Sequence, residues 1–178
     1  MTTTTADTLV MRTIDSPVGP LTIAASPAGV RLLIWEGHDD ALAAEHAAAA
    51  TMADTPAARN AEQILERTIV QLGEYFAGSR TEFDLPLDPR GTAFQQSAWM
   101  VLRTIPYGQT MSYGQQARAL GDRNKARAVG GANGKNPISI IVPCHRVVGA
   151  DGSLTGFGGG IDVKAWLLDH ERQVLAHH

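Results

Sequence analysis

Cysteine is almost missing from this sequence: Cys144 is the single one among 178 residues. One thiol cannot close an internal disulfide or build a multi-cysteine zinc site, so Cys144 is either a small buried hydrophobe or a thiol that is used chemically. Long apolar runs are missing too. The longest, such as 138–142, stop far short of the roughly 20 residues that cross a bilayer, and no membrane partner is expected. The opening MTTTTADTL has neither the basic flank nor the apolar block of a secretory signal, which makes the cytoplasm the expected location. Aromatics are sparse at 6%, yet 44% hydrophobic and 19% charged residues are ordinary for a globular chain and exclude disorder and fibrous repeats. This length suits one compact domain or two small ones.

The net charge of -3 is unevenly spread. Residues 1–90 carry 6 basic against 13 acidic side chains, whereas residues 91–178 carry 9 against 5, so the second half is the one suited to a polyanion. In the first half, 9–14, 21–25 and 30–35 are short apolar or alternating runs separated by the turn clusters SPVGP and SPAG, the pattern of an antiparallel meander. The alanine-rich stretch 40–55 is either a surface helix or a loose connection with little to give a core. Ala61, Ile64, Leu65, Thr68, Ile69, Leu72, Tyr75 and Phe76 recur at helical spacing and Gly78 follows as a stop, which predicts an amphipathic helix. The aperiodic, proline-bearing TEFDLPLDPRG then marks a boundary, giving a strand-rich domain over 1–84 and a second domain over 85–178.

Beyond it, Thr92 can cap a helix with Phe94, Ala98, Val101, Leu102 and Ile105 on one face, stopped by Pro106 and Gly108. Ser112 can cap a second helix over 113–120, and after Gly121 a third spans about 124–133. Two short helices about a glycine turn fit a helix-turn-helix, and equally an ordinary helical hairpin. The third helix has Arg123, Lys125, Arg127 and Lys135 in or near it, with Gly130, Gly131 and Ala132 expected on its other side, where small residues permit close backbone approach to a helix or a phosphate. An apolar strand over 138–142, the run PCHRV, a GFGGG loop and a last helix over about 163–173, capped by Asp162, complete the pattern.

Chemistry concentrates at IVPCHRVVG. Pro143 restricts Val142 to extended conformations and removes a donor, so a strand would end there with Cys144 at its mouth. Cationic neighbours lower a thiol pKa, and the thiolate is the nucleophile. His145 adjoins the single sulfur, and Glu171 falls on the flank of an expected buried stripe of Val163, Trp166, Leu167 and His170, either partnered there or in solvent at a frayed end.

The run IVPCHRVVG, with ARAVGGANGKNPI, IPYGQTMSYG, FQQSAW and LTGFGGGIDVKAWLLDHE, resembles the O6-alkylguanine-DNA alkyltransferase family, bacterial type, strongly over about 91–171 and more weakly before. The resemblance implies an α+β protein with a small N-terminal antiparallel-sheet domain, ribonuclease H-like, and a helical C-terminal domain with a winged-helix-like helix-turn-helix. It implies irreversible, stoichiometric alkyl transfer from O6-alkylguanine, and O4-alkylthymine, in duplex DNA to Cys144, after minor-groove binding and base flipping. His145 would take the thiol proton through a water, because adjacent side chains on an extended segment point apart, and Glu171 would orient His145. Asn136 would hold the turn before the cysteine and Tyr113 would donate to the flipped base. Arg127 would fill the vacated stack, with Ala128, Gly130 and Gly131 facing the groove. The Val147 carbonyl, the Gly158 amide and Lys164 would line the base pocket beside Phe157.

Relatives often carry tyrosine and serine where this chain has Phe157 and Gly158, so two hydroxyls are missing at that wall. No metal site, no cofactor and no obligate protein partner is implied; cooperative self-association on DNA stays open. Competing readings are a non-catalytic lesion-binding relative, a cysteine hydrolase using Cys144 and His145, and a plain DNA-binding regulator.

Overall fold

The structure, a computed structural model, describes residues 8–37 and 54–177. Most of the alanine-rich stretch 40–55 lies outside the described residues. Two compact units divide between Pro89 and Arg90, five residues after the boundary expected from sequence.

In the N-terminal unit, β1 (Val10–Ile14), β2 (Leu21–Ser26) and β3 (Gly29–Trp35) form an antiparallel meander in that order. Leu21 faces Trp35 and Ile14 faces Leu21 across the ladders, with an irregularity between Ala24 and Ala25. α1 (Pro56–Ala77) packs on this sheet. Thr55 caps it by accepting from the Ala58 amide, Pro56 occupies the first turn where no amide is needed, and Gly78 ends it in the left-handed region at φ 81°. Its buried stripe runs through Ala61, Ile64, Leu65, Thr68, Leu72 and Tyr75, as the spacing predicts. Segment 85–89 belongs here because its backbone is taken up by the sheet. The Val30 amide donates to Pro86 O at 2.9 Å and the Asp88 amide to Val30 O at 2.8 Å. Asp88 also accepts from Arg31 at 2.6 Å and from Ser26 at 2.7 Å.

The C-terminal unit begins with α2 (Ala93–Leu102), opened by a capping box in which Thr92 and Gln95 satisfy each other's amides. After β4 (Met111–Ser112), α3 (Tyr113–Ala119) opens on a second box, Ser112 with Gln115. A 3-10 turn at Arg123–Lys125 leads into α4 (Ala126–Gly134), and Gly121 at φ 95° makes the turn between the two helices. This helix-turn-helix is fixed by a buried polar pair. Gln116 and Asn133 exchange amide hydrogen bonds at 2.9 and 2.8 Å, and Gln116 also donates to Ala98 O of α2. Trp99 Nε1 donates to Ala132 O at 2.8 Å, so Ala132 is core rather than a companion of the exposed Gly131.

Residues 138–142 do not form the expected strand. They fold into tight buried turns: the Ile141 amide donates to Ser139 O, the Val142 amide donates to Ile138 O, and Ile140 sits at φ 71°. Asn136 is the reason. Its side-chain amide donates to Val142 O at 2.8 Å and its Oδ1 accepts from the Ile138 amide at 3.0 Å, supplying partners that a neighbouring strand would otherwise give. Cys144–Arg146 then form a 3-10 turn, followed by β5 (Val147–Val148), which pairs parallel with β4. The last helix, α5 (Ile161–Ala176), starts at Gly160, and Asp162 lies in its first turn without capping it.

Candidate active site

Because Cys144, His145 and Arg146 occupy one 3-10 turn, successive side chains fan out about 120° apart, and the extended-chain argument for their separation does not apply. All three are buried, with Cys144 at 8% exposure. His145 and Arg146 share one anchor, Glu171, fully buried on the α5 face it forms with Lys164, Leu167 and Leu168. The expected stripe is thus displaced: Trp166 is exposed and stacks on His170 at 4.8 Å between centroids.

Glu171 is saturated with donors. His145 Nε2 lies 2.7 Å from Oε2, Arg146 donates from Nε at 2.9 Å and Nη2 at 3.0 Å, and the Gly108 amide donates to Oε1 at 3.0 Å. Arg146 Nη1 reaches Ile105 O at 2.8 Å, so the turn before β4, the cysteine turn and the last helix share one carboxylate. Gly108 is required there: at φ 79° it is left-handed, and a Cβ would run into Leu175. Sequence reasoning missed Arg146. The signal available was a second cation beside His145, facing the same single carboxylate.

This arrangement fixes the protonation pattern. Burial alone would push Glu171 up, but hydrogen bonds from His145 and Arg146, with the charge of Arg146, override it and hold the carboxyl well below the usual range. An ionised carboxylate only accepts, so His145 carries its proton on Nε2. Burial pushes His145 below the ordinary histidine range against the pull of Glu171, leaving the ring neutral with a lone pair on Nδ1. That Nδ1 is buried and has no hydrogen-bond partner among the described residues. Burial likewise pushes the Cys144 thiol up, while hydrogen bonding from Asn136, the charge of Lys164 and hydrogen bonding from Ser139 oppose it. At rest the turn holds a protonated thiol and, on the next residue, a neutral imidazole whose Nδ1 keeps its lone pair.

A second cluster gathers around Tyr113 at the start of α3. Thr155 Oγ1 donates to Tyr113 Oη at 2.9 Å, Lys164 Nζ donates to Thr155 O at 3.2 Å, and that ammonium lies 6.0 Å from the Tyr113 ring centroid. Burial lowers the Lys164 pKa, and Cys144 pulls it back up. The Tyr113 ring lies against α4 where Gly130 has no side chain; a Cβ there would touch Cε1 at 3.8 Å. On α4, Arg127, Ala128 and Gly131 are exposed and Gly130 is half-buried. Val147 is buried in β5, while Phe157 is half-buried and Gly158 exposed on the loop before α5.

The chain was compared with known proteins. Residues 93–173 match the model for the DNA binding domain of 6-O-methylguanine DNA methyltransferase, and residues 9–89 match its ribonuclease-like domain. The methylated-DNA--protein-cysteine methyltransferase of Mycobacterium tuberculosis is 49% identical over 162 residues, covering 90% of this chain and 91% of that one. Its Mycobacterium leprae counterpart is 45% identical over 166 residues, covering 92% and 93%. The crystal structure of the Mycobacterium tuberculosis O6-methylguanine methyltransferase superposes with a TM-score of 0.78 at 48% identity, covering 93% of each chain. A structure of Mycobacterium tuberculosis OGT in complex with DNA gives 0.75 at 46%, covering 92% of this chain and 93% of that one. This chain belongs to the 6-O-methylguanine DNA methyltransferase family.

Proposed function

We propose that this protein repairs DNA directly, moving the alkyl group from O6 of guanine in duplex DNA to the sulfur of Cys144 in one irreversible step. The observation that carries the reading is the buried Nδ1 of His145, which has no hydrogen-bond partner among the described residues, on the residue next to the single thiol, while Nε2 is held by Glu171. A neutral thiol is a poor nucleophile, and a neutral imidazole with a free lone pair is the base it needs. The thiol proton passes through an intervening water to Nδ1. The thiolate then attacks the alkyl carbon, a sulfur–carbon bond forms, the carbon–oxygen bond breaks, and its electron pair stays on the guanine. Glu171 stabilises the imidazolium that results, as the acid of a triad does.

Guanine leaves as an anion unless a proton reaches it, so a donor at the ring lowers the barrier. Tyr113 supplies that donor, and the Gly158 amide, the Val147 carbonyl and Lys164 hold the base. Asn136 keeps the cysteine turn rigid. α4 enters the minor groove through Ala128, Gly130 and Gly131, and Arg127 fills the gap left by the flipped nucleotide. The same site takes O4-alkylthymine. The protein works in the cytoplasm as an N-terminal domain followed by the domain that binds DNA and accepts the alkyl group.

The test is intact mass after incubation with duplex DNA bearing O6-methylguanine. The protein gains one methyl group, peptide mapping puts it on Cys144, and each molecule repairs one lesion. An unchanged mass refutes the proposal, and repeated turnover of a small ester or amide without mass gain points to the hydrolase reading instead.

A further inference from the structure

A phenol oxygen both donates and accepts, so the identity of Tyr113 does not by itself settle which it does for a bound base. Its surroundings do. Thr155 Oγ1 donates to Tyr113 Oη at 2.9 Å, which occupies an acceptor position and turns the phenol proton away from Thr155. Thr155 is itself held at its other end, where its carbonyl accepts from the fully buried Lys164 at 3.2 Å. One residue on the loop before α5 thus ties a side chain of α3 to a side chain of α5. Threonine suits this place because its β-branch restricts χ1, so the hydroxyl is aimed at little entropic cost.

We infer that Thr155 is a positioning residue that commits Tyr113 to the donor role toward the alkylated base. The inference rests on the function proposed above, in which Tyr113 meets that base. Thr155 does not contact the reacting atoms; it acts through the phenol.

The experiment is a double-mutant cycle on the full chain, read as the single-turnover rate of Cys144 alkylation by free O6-alkylguanine, which dispenses with DNA binding. Thr155→Val keeps the shape and removes the hydroxyl; it slows the reaction about threefold to tenfold, the range of one hydrogen bond. Thr155→Ser keeps the hydroxyl and restores most of the rate. In a Tyr113→Phe background, Thr155→Val has no further effect, because the group it orients is gone. A purely structural role gives the same loss in both backgrounds, and that result overturns the inference, as does a wild-type rate for Thr155→Val. Position 155 is exposed, so the variants are expected to fold, and thermal melts verify it. Failure of the wild-type protein to become alkylated strikes the proposed function; normal wild-type alkylation with an additive cycle strikes the role of Thr155 alone.

Discussion

Replacing Glu171 by glutamine changes one oxygen to an NH₂ group and removes one charge from a fully buried site with four donors. Two consequences can be worked out. The amide oxygen can satisfy the Oε1 side, facing Gly108 and Arg146 Nε, but the NH₂ then faces Arg146 Nη2 and His145 Nε2. Arg146 loses its counter-charge, and breaking a buried ion pair on one side costs about 3–5 kcal/mol, a large part of the 5–15 kcal/mol available to a typical domain. His145 can accept from the new NH₂ only by surrendering its Nε2 proton, which moves the proton to Nδ1 and destroys the acceptor needed by the thiol. Loss of a general base lowers a rate by about 10²–10⁴-fold. Urea unfolding followed by circular dichroism gives stability, and alkylation by free O6-alkylguanine, normalised to the folded fraction, gives chemistry. Adding His145→Ala to Glu171→Gln should slow the reaction little further, since the two act as a unit. A folded Glu171→Gln protein reacting at the wild-type rate would refute the tautomer argument outright.

Arg127→Ala should slow repair of duplex DNA markedly while leaving reaction with the free base near the wild-type rate, because only the duplex has a stack to refill; an equal loss on both substrates places Arg127 in the pocket or the fold. Asn133→Ala strands the buried Gln116 amide and should cost about 1–3 kcal/mol in urea unfolding, with weaker DNA binding; a neutral result contradicts the pairing. Acid should destabilise the protein in two stages. His145 is held below its ordinary value of 6.5, so as pH falls through that value the unfolded chain binds a proton the folded one refuses, and stability drops. Glu171 contributes stability above the ordinary carboxylate range, and that contribution is lost as pH falls through its depressed folded-state pKa. Unfolding free energies measured from neutral pH to pH 5 that stay flat would count against a neutral, buried His145.

Much of this molecule is legible in its sequence because local chemistry and fold agree. The two capping boxes, Pro56, Gly78 and Gly121 stand where helices start and stop, and the three strands alternate with turn residues. Residues 138–142 mislead because a short apolar run has the same composition whether it is a buried strand or buried turns. The deciding group is the Asn136 amide, whose reach along the backbone is invisible to periodicity. Arg146 escaped for a different reason: its partner lies 25 residues away on a helix whose buried face was assigned one position off. The motif PCHRV draws attention to the single thiol, but the carboxylate that makes sense of the two residues after it is a property of the tertiary structure.

The distance along the chain between the cysteine turn and Glu171 also sets an order in time. A ribosome adding about 5–20 residues per second needs one to several seconds to pass from Arg146 to Glu171. During that interval the thiol, the imidazole and the guanidinium exist without the group that fixes the imidazole tautomer and balances the guanidinium. The nascent chain therefore carries Cys144 at the ordinary thiol pKa, without the burial that raises it in the folded site. Only when the last described helix docks does Glu171 fix the imidazole tautomer and balance the guanidinium, so this buried cluster is completed by the final element of the fold.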